Sequence, residues 1–449
     1  MLRLHKVHIR PKYPLMGRSG IYLAIFCMFL IKSSVFREHN SSQLQNLSTV
    51  RYLCAWQFPN TLSILTNSES TVALKKADNF QEMLCKSQTF VPVSLLGDFQ
   101  EALIFVDDGS DDKTHCGIGC RFMRLDMAFW YAYSNHMSLH SLVRGDWEYT
   151  SAVDCPSRNH ECYFQPIASA PIKEFVSDRR SVEMLLSYDS KKLKDNEQYL
   201  EARLWTRKSR DFFRKDFGFG IPALKEDLLL EKKTGCWLAA QILYFLLKPN
   251  TILENEVRKA KEKLNWNRDS GKCVAVHVRH GWRSRFSADL SMTEYVMSVR
   301  RLSHVKKILL ITEDDKVISD ALSNFPEYDW LYTEYPRENS HDIGIAMSEG
   351  KIDPTAEALN ALVNLILSSE CQYFVGQVNS TWYRLMIMLA YGKYGQMPPF
   401  DNIREDWGHG GLRKWGFFGM CTLEELQKEV AELKRRFPEL VKMDPSKIK

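Results

Sequence analysis

In Lys272-Cys273-Val274-Ala275-Val276-His277-Val278-Arg279-His280-Gly281-Trp282, an apolar alternating run stops abruptly at two cation-capable side chains and a glycine. A buried parallel strand reads this way when its carboxyl end opens into a ligand crevice. Arg279 keeps its charge and presents a planar fork of donors matched to phosphate. The stretch therefore implies a phosphorylated small molecule handled on an α/β sheet.

The residues that follow continue the pattern. Strand 273–278 is succeeded by helix 291–302, strand 307–312 and helix 315–324. Strand 328–332, helix 355–368, strand 372–375 and helix 381–391 come next. Alternation of this kind predicts a parallel sheet with crossover helices. Upstream, 102–106 reads as a buried strand, 121–136 as a helix packed on a sheet, and 138–143 as the next strand. Residues 150–195 are rich in turns, and 197–215 read as a charged helix. Trp237–Leu247 is an apolar helix, and Thr251–Leu264 is an amphipathic one with Thr251 as its cap. A last helix covers about 422–436.

The chain has 449 residues and a net charge of +5. Residues 1–20 hold five cations and no acid, leaving the remainder balanced at 55 basic and 55 acidic residues. The excess is a tail and not a nucleic-acid face. An apolar run, 21–31, follows that tail and extends toward Arg37. Basic residues before such a run keep the N-terminus cytosolic. The expectation is a single-pass type II signal anchor with the bulk of the chain in the Golgi lumen. A cleaved signal peptide is the alternative, and it would leave the chain secreted. Two sequons, at Asn40 and Asn46, lie just beyond, and ten cysteines follow the apolar run. An even count in a lumenal chain favours disulfides. Cys116 and Cys120 are spaced for a small disulfide loop.

The expected division is a cytosolic tail (1–19), an anchor (20–36), and a stem with the lead-in to the first domain (37–84). An N-terminal α/β domain (85–250), a nucleotide-sugar-binding domain (251–400) and a C-terminal loop and helix (401–449) complete it.

Three neighbouring strand ends hold the chemistry. Arg279 and His280 end one strand, Glu313-Asp314-Asp315 ends the next, and Asn379-Ser380-Thr381 opens a helix after a third. Cation and helix dipole suit a pyrophosphate, and carboxylates suit hydroxyls or base edges. The acids also suit a plain solvated helix start.

These residues resemble the α1,6-fucosyltransferase family, which uses GDP-fucose. Val274–Trp282 is similar to its first motif, in the Arg-His-Gly form of rhizobial nodulation enzymes more than the His-Val-Arg-Arg form of animal core-fucosylating enzymes. Cys116-Gly117-Ile118-Gly119-Cys120, a helix and Asp146-Trp147-Glu148-Tyr149 resemble another conserved block. Thr312-Glu313-Asp314 and Tyr373–Arg384 resemble two more motifs, and the likeness covers roughly 85–400.

The resemblance implies a GT-B-like α/β fold of two Rossmann-like domains, the C-terminal one binding nucleotide. It implies an inverting transfer of L-fucose to N-acetylglucosamine in a glycan, with a GDP-sugar donor and no metal or other cofactor. Arg279 matches the arginine on the β-phosphate, which stabilises the leaving group. His280, Tyr295, Glu313, Asp314 and Ser380 match nucleotide-side positions. Asn364 falls where the family has an acid. The family's glutamate base has no counterpart at its usual place, and Asp289 is the nearest acid. Asp289 equally suits a cap for the helix near Ser291.

Asp107–Asp112 invites a metal-dependent reading, but Ile118 stands where a calcium loop needs its bidentate glutamate. An exposed acidic turn is the better reading. The third possibility is a catalytically impaired GDP-sugar or glycan-binding relative.

Overall fold

A computed structural model describes residues 81, 84, 102–108, 117–134, 138–144, 149–151, 153–156, 159–167, 202–205, 234–266, 272–280, 290–335, 337, 346–347, 349–403, 417–419 and 421–438. All of them lie in one unit, Phe58–Lys449. The anchor, the sequons at Asn40 and Asn46, Cys116 and Asp289 fall outside the described residues. No helix among the described residues is long and apolar enough to cross a membrane.

The first half contributes β1 (Ala102–Asp108), α1 (Ile118–Ser134), β2 (Ser138–Arg144), β3 (Ala202–Trp205) and α2 (Gly235–Leu246). Its sheet is all parallel, in the order β2-β1-β3. The second half contributes α3 (Thr251–Lys263), β4 (Val274–Val278), α4 (Met292–Leu302), β5 (Lys307–Thr312), α5 (Asp315–Asn324), β6 (Asp329–Leu331), α6 (Pro354–Ser368), β7 (Tyr373–Gly376), α7 (Thr381–Tyr394), β8 (Phe400–Asn402) and α8 (Leu423–Arg436). Its sheet is also parallel, in the order β6-β5-β4-β7-β8. The α/β class expected from the alternation is the class observed.

All five residues of β4 are buried, as a central parallel strand covered on both faces requires. Val274, Val276 and Val278 pack with Tyr295, Val296 and Val299 of α4 and with Val317 and Ile318 of α5. The alternate residue His277 stacks on Tyr383 of α7, on the other face. From β4 the chain moves outward through β5 and β6, then returns to place β7 on β4's free side. The carboxyl end of β4 is thus a topological switch point, where open α/β sheets form a crevice.

Several elements differ from the sequence expectation. Residues 202–205 of the expected charged helix form β3, paired with Ala102–Phe105. Pairing beside β1 outweighs the local helical pattern there. Asp107 and Asp108 do not belong to a turn: they continue β1, opposite Val143 and Arg144. Residues 400–402 form an edge strand on β7, where 401 onward was expected to be loop. The cap of α3 is Asn250 and not Thr251, because the Asn250 carboxamide accepts from the amides of Ile252 and Leu253.

Cys155–Cys162, Cys236–Cys421 and Cys273–Cys371 are disulfides. Cys120 is also disulfide-bonded.

Candidate active site

At the end of β4, the Arg279 guanidinium pairs with the carboxylate of Glu313, which follows β5. The next residue along each strand makes a second link: His280 Nδ1 is 3.0 Å from Asp314 Oδ2. His280 Nε2 lies 3.2 Å from the carbonyl of Leu290, so both ring nitrogens face oxygen acceptors. The register of β4 on β5 sets this ladder, since Val278 is opposite Thr312. Asp314 also caps α5, accepting at 2.9 Å from the amide of Lys316. The capping role weighed for the acids is therefore real for Asp314, and it coexists with the pairing to His280.

Ser380 is the N-cap of α7, and its hydroxyl makes no capping bond. It sits half-buried beside the exit of β7. Gly376 ends β7 against the ring of Tyr383, where a Cβ would come within 2.6 Å. Only glycine lets the ring lie there, and the Tyr383 hydroxyl then donates to the carbonyl of Asp401 at 2.8 Å.

Two of the sequence candidates lie deeper. Tyr295 is fully buried in the α4 core, where its hydroxyl accepts from Gln377 at 3.3 Å. Asn364 is 5% exposed on α6 and donates to Thr333 Oγ1 at 2.8 Å and to the carbonyl of Asn360 at 3.0 Å. The helix start near Ser291 is capped by Ser291 itself, in a capping box with Glu294.

Sequence reasoning missed three residues that complete the rim. Arg337, after β6, donates to the carbonyls of Thr312, Tyr335 and Thr333, tying this strap to the end of β5. Tyr335 on the strap hydrogen-bonds the carboxylate of Glu357, on the first turn of α6. Burial pushes the Glu357 carboxyl up to about 7, and the charge of Glu313 adds to the rise. The Tyr335 hydrogen bond, Arg337 and Arg279 oppose it. In sequence, Glu357 is one more acid at a helix start, an ordinary place for one. Nothing local marks it.

The first half meets the same end of the second sheet. Thr355 Oγ1 accepts from the amide of Ser151 at 3.1 Å and donates to Asp154 at 2.6 Å. Gly119, at the start of α1, abuts Thr381 and Trp382, with its Cβ position 3.5 Å from the indole. Arg121 lies over the Tyr149 ring at 5.2 Å. The amino ends of α1, α6 and α7 thus converge near the carboxyl ends of β4, β5 and β7, an arrangement suited to an anionic ligand.

No protein-family model matches the chain. Among solved structures it is similar to a NodZ α-1,6-fucosyltransferase soaked with GDP-fucose, at 16% identity and a TM-score of 0.37, covering 64% of this chain and 93% of that one. It is also similar to fucosyltransferase NodZ from Bradyrhizobium, at 15% identity and a TM-score of 0.38, covering 65% and 94%. A variant of Arabidopsis thaliana FUT1 in complex with GDP matches at 14% identity and a TM-score of 0.38, covering 82% and 81%. These three solved structures are fucosyltransferases. With scores this low the likeness adds nothing to the chemistry, which rests on the residues described above.

Proposed function

We propose that the chain is an inverting, GDP-fucose-dependent glycosyltransferase with a GT-B-like arrangement of its two halves. It moves L-fucose to a hydroxyl of N-acetylglucosamine in a glycan. The observation that carries this reading is Arg279, placed at the switch point of a parallel sheet with its fork held by Glu313. The motif resemblance at 274–282, 312–314 and 373–384 supplies the identity of donor and acceptor.

Loss of GDP leaves an oxocarbenium-like sugar and gathers negative charge on the β-phosphate. A guanidinium fixed at that point is worth most when the charge has developed. In the free protein Glu313 holds the fork in place. Phosphate oxygens then exchange with one carboxylate oxygen, so the cation is oriented before the donor arrives. His280 braces the neighbouring strand end through Asp314, and Ser380 adds a hydroxyl at the amino end of α7. The proposed setting is the Golgi lumen, with residues 20–36 as a type II anchor and glycans on Asn40 and Asn46.

The test is a donor screen. Purified full-length protein is incubated in EDTA with GDP- and UDP-sugars and N-acetylglucosamine-bearing glycans, and transfer and hydrolysis are both read. Transfer from GDP-fucose alone is the expected result. Arg279→Ala should lower kcat/KM by about 10²–10³-fold with an unchanged circular dichroism spectrum. Activity restored only by manganese, or GDP binding without any transfer, would overturn the reading.

A further inference from the structure

An inverting transfer needs a group that accepts the proton of the attacking hydroxyl. The described carboxylates around the crevice are not equivalent in this respect. Glu313 is neutralised by Arg279. Asp314 is held by His280 and by the amide of Lys316. Asp315 is half-exposed and faces Arg337 at 3.5 Å. Asp154 accepts from the hydroxyls of Ser151 and Thr355, both at 2.6 Å, and these bonds lower its basicity. Glu357 alone among them is half-buried and bonded to a neutral hydroxyl, that of Tyr335.

Its placement also fits. Glu357 stands one helical turn inside the amino end of α6. Two residues earlier, Thr355 docks on the Ser151–Asp154 loop of the first half. Arg279 and Glu313 act on the Glu357 charge from the strand ends. The carboxylate therefore stands between the strand ends that carry Arg279 and Glu313 and the contact that Thr355 makes with the first half.

We infer that Glu357 is the proton acceptor for the incoming acceptor hydroxyl, an inference that rests on the glycosyl-transfer reading above. The acceptor oxygen forms a bond to the anomeric carbon of fucose as the bond from that carbon to the β-phosphate oxygen breaks. The bonding electron pair leaves on GDP beside Arg279. The hydroxyl proton passes to Glu357 and from there to solvent. No oxidant, reductant or further reactant is needed.

Among the described residues, the charged and titratable groups facing Glu357 are Glu313 after β5, Arg279 after β4, and Arg337 and Tyr335 on the strap. Asp353, the cap of α6, acts on Tyr335. A carboxyl raised to about 7 is protonated in mild acid and becomes a base as pH rises. Transfer should therefore increase through neutrality and level off above it.

The experiment measures kcat/KM for fucose transfer against pH in the full-length protein, with GDP affinity by calorimetry. The wild type should show an acid limb near neutrality. Glu357→Gln should lose about 10²–10⁴-fold in transfer and lose that limb, with GDP affinity within about threefold of wild type. Tyr335→Phe should move the limb to higher pH, because the lost hydrogen bond favoured the carboxylate. A Glu357→Gln variant with near-wild-type transfer and an intact limb overturns the inference. So does a loss of transfer matched by an equal loss of GDP affinity, or a limb removed by Asp289→Asn instead. A wild type that transfers nothing from GDP-fucose overturns the functional reading as well, so the two failures are told apart.

Discussion

Asp126, on α1, is the least comfortable charge in the described core. It is fully buried, and neither carboxylate oxygen has a partner. Gly419 approaches it with φ +48, and a Cβ there would lie 1.8 Å from Oδ2, so both backbone conformation and space demand glycine. Burial raises the Asp126 carboxyl well above its ordinary 3.8. The folded chain then keeps a proton that the unfolded chain releases, so stability falls as pH rises above the unfolded value, by about 1.4 kcal/mol per pH unit for one proton. Asp126→Asn removes that proton. The variant should match wild type near pH 4 and be more stable at neutral pH by about 1–3 kcal/mol, read as a urea midpoint at each pH. Equal midpoints at neutral pH would show that the carboxylate is solvated in the fold. The placement of the residues at these strand ends was legible in sequence to a different degree at each residue. Arg279, His280, Glu313 and Asp314 stand out because they follow apolar strands directly. Glu357 does not, because only the return of the chain from β6 to β7 brings the start of α6 beside those strand ends.

The entrance of β4 is fixed covalently and through backbone. Cys273 precedes β4 and Cys371 precedes β7, and their disulfide closes a loop of 98 residues. The same entrance is paired through backbone, with the carbonyl of Cys273 accepting from the amide of Gln372 at 3.1 Å. Replacing both cysteines by alanine should destabilise the fold by about 2–5 kcal/mol in denaturant unfolding. GDP affinity should change far less, since the crevice is at the opposite ends of these strands. A large affinity loss without a stability loss would mean the disulfide acts on the site itself. From β4 to α5 the element boundaries were legible to within a residue, because apolar runs alternate cleanly with amphipathic segments and with caps such as Ser291 and Asp314. The short strands β3 and β8 were not. Neither has an uninterrupted apolar run in its sequence, and each is a strand only through the neighbour it pairs with. The cap of α3 was misplaced by one position because Asn250 and Thr251 are both good capping residues, and only the geometry chooses between them.

The halves of the molecule meet through α2. It packs on α1, which covers the first sheet, and on α7, which covers the second. Glu429 of α8 takes hydroxyl bonds from Thr234, the cap of α2, and from Tyr391 of α7, so the three helices share one polar clasp. The Cys236–Cys421 disulfide holds the start of α2 to the residue before the cap of α8. At the centre of this layer, Gly392 of α7 lies directly on α2. A Cβ there would come within 2.3 Å of the Ala240 carbonyl oxygen and 2.6 Å of Tyr244 Cβ. Gln241 closes the contact by donating to the Gly392 carbonyl at 3.0 Å. Helix backbones this close transmit position rigidly, and they set how the start of α1 at Gly119 faces the start of α7 at Thr381 and Trp382. Gly392→Ala should therefore destabilise by about 1–3 kcal/mol, and Gly392→Val by more, as the helices are wedged apart. Because the same displacement carries Ser380 and Thr381 away from Arg279, GDP affinity should fall in step with the added volume. Calorimetry with GDP, run below the melting transition of each variant, separates the two effects. A Gly392→Val protein that binds GDP normally while melting early would mean that the crevice belongs to the second sheet alone, and that α2 supports the fold without setting the site.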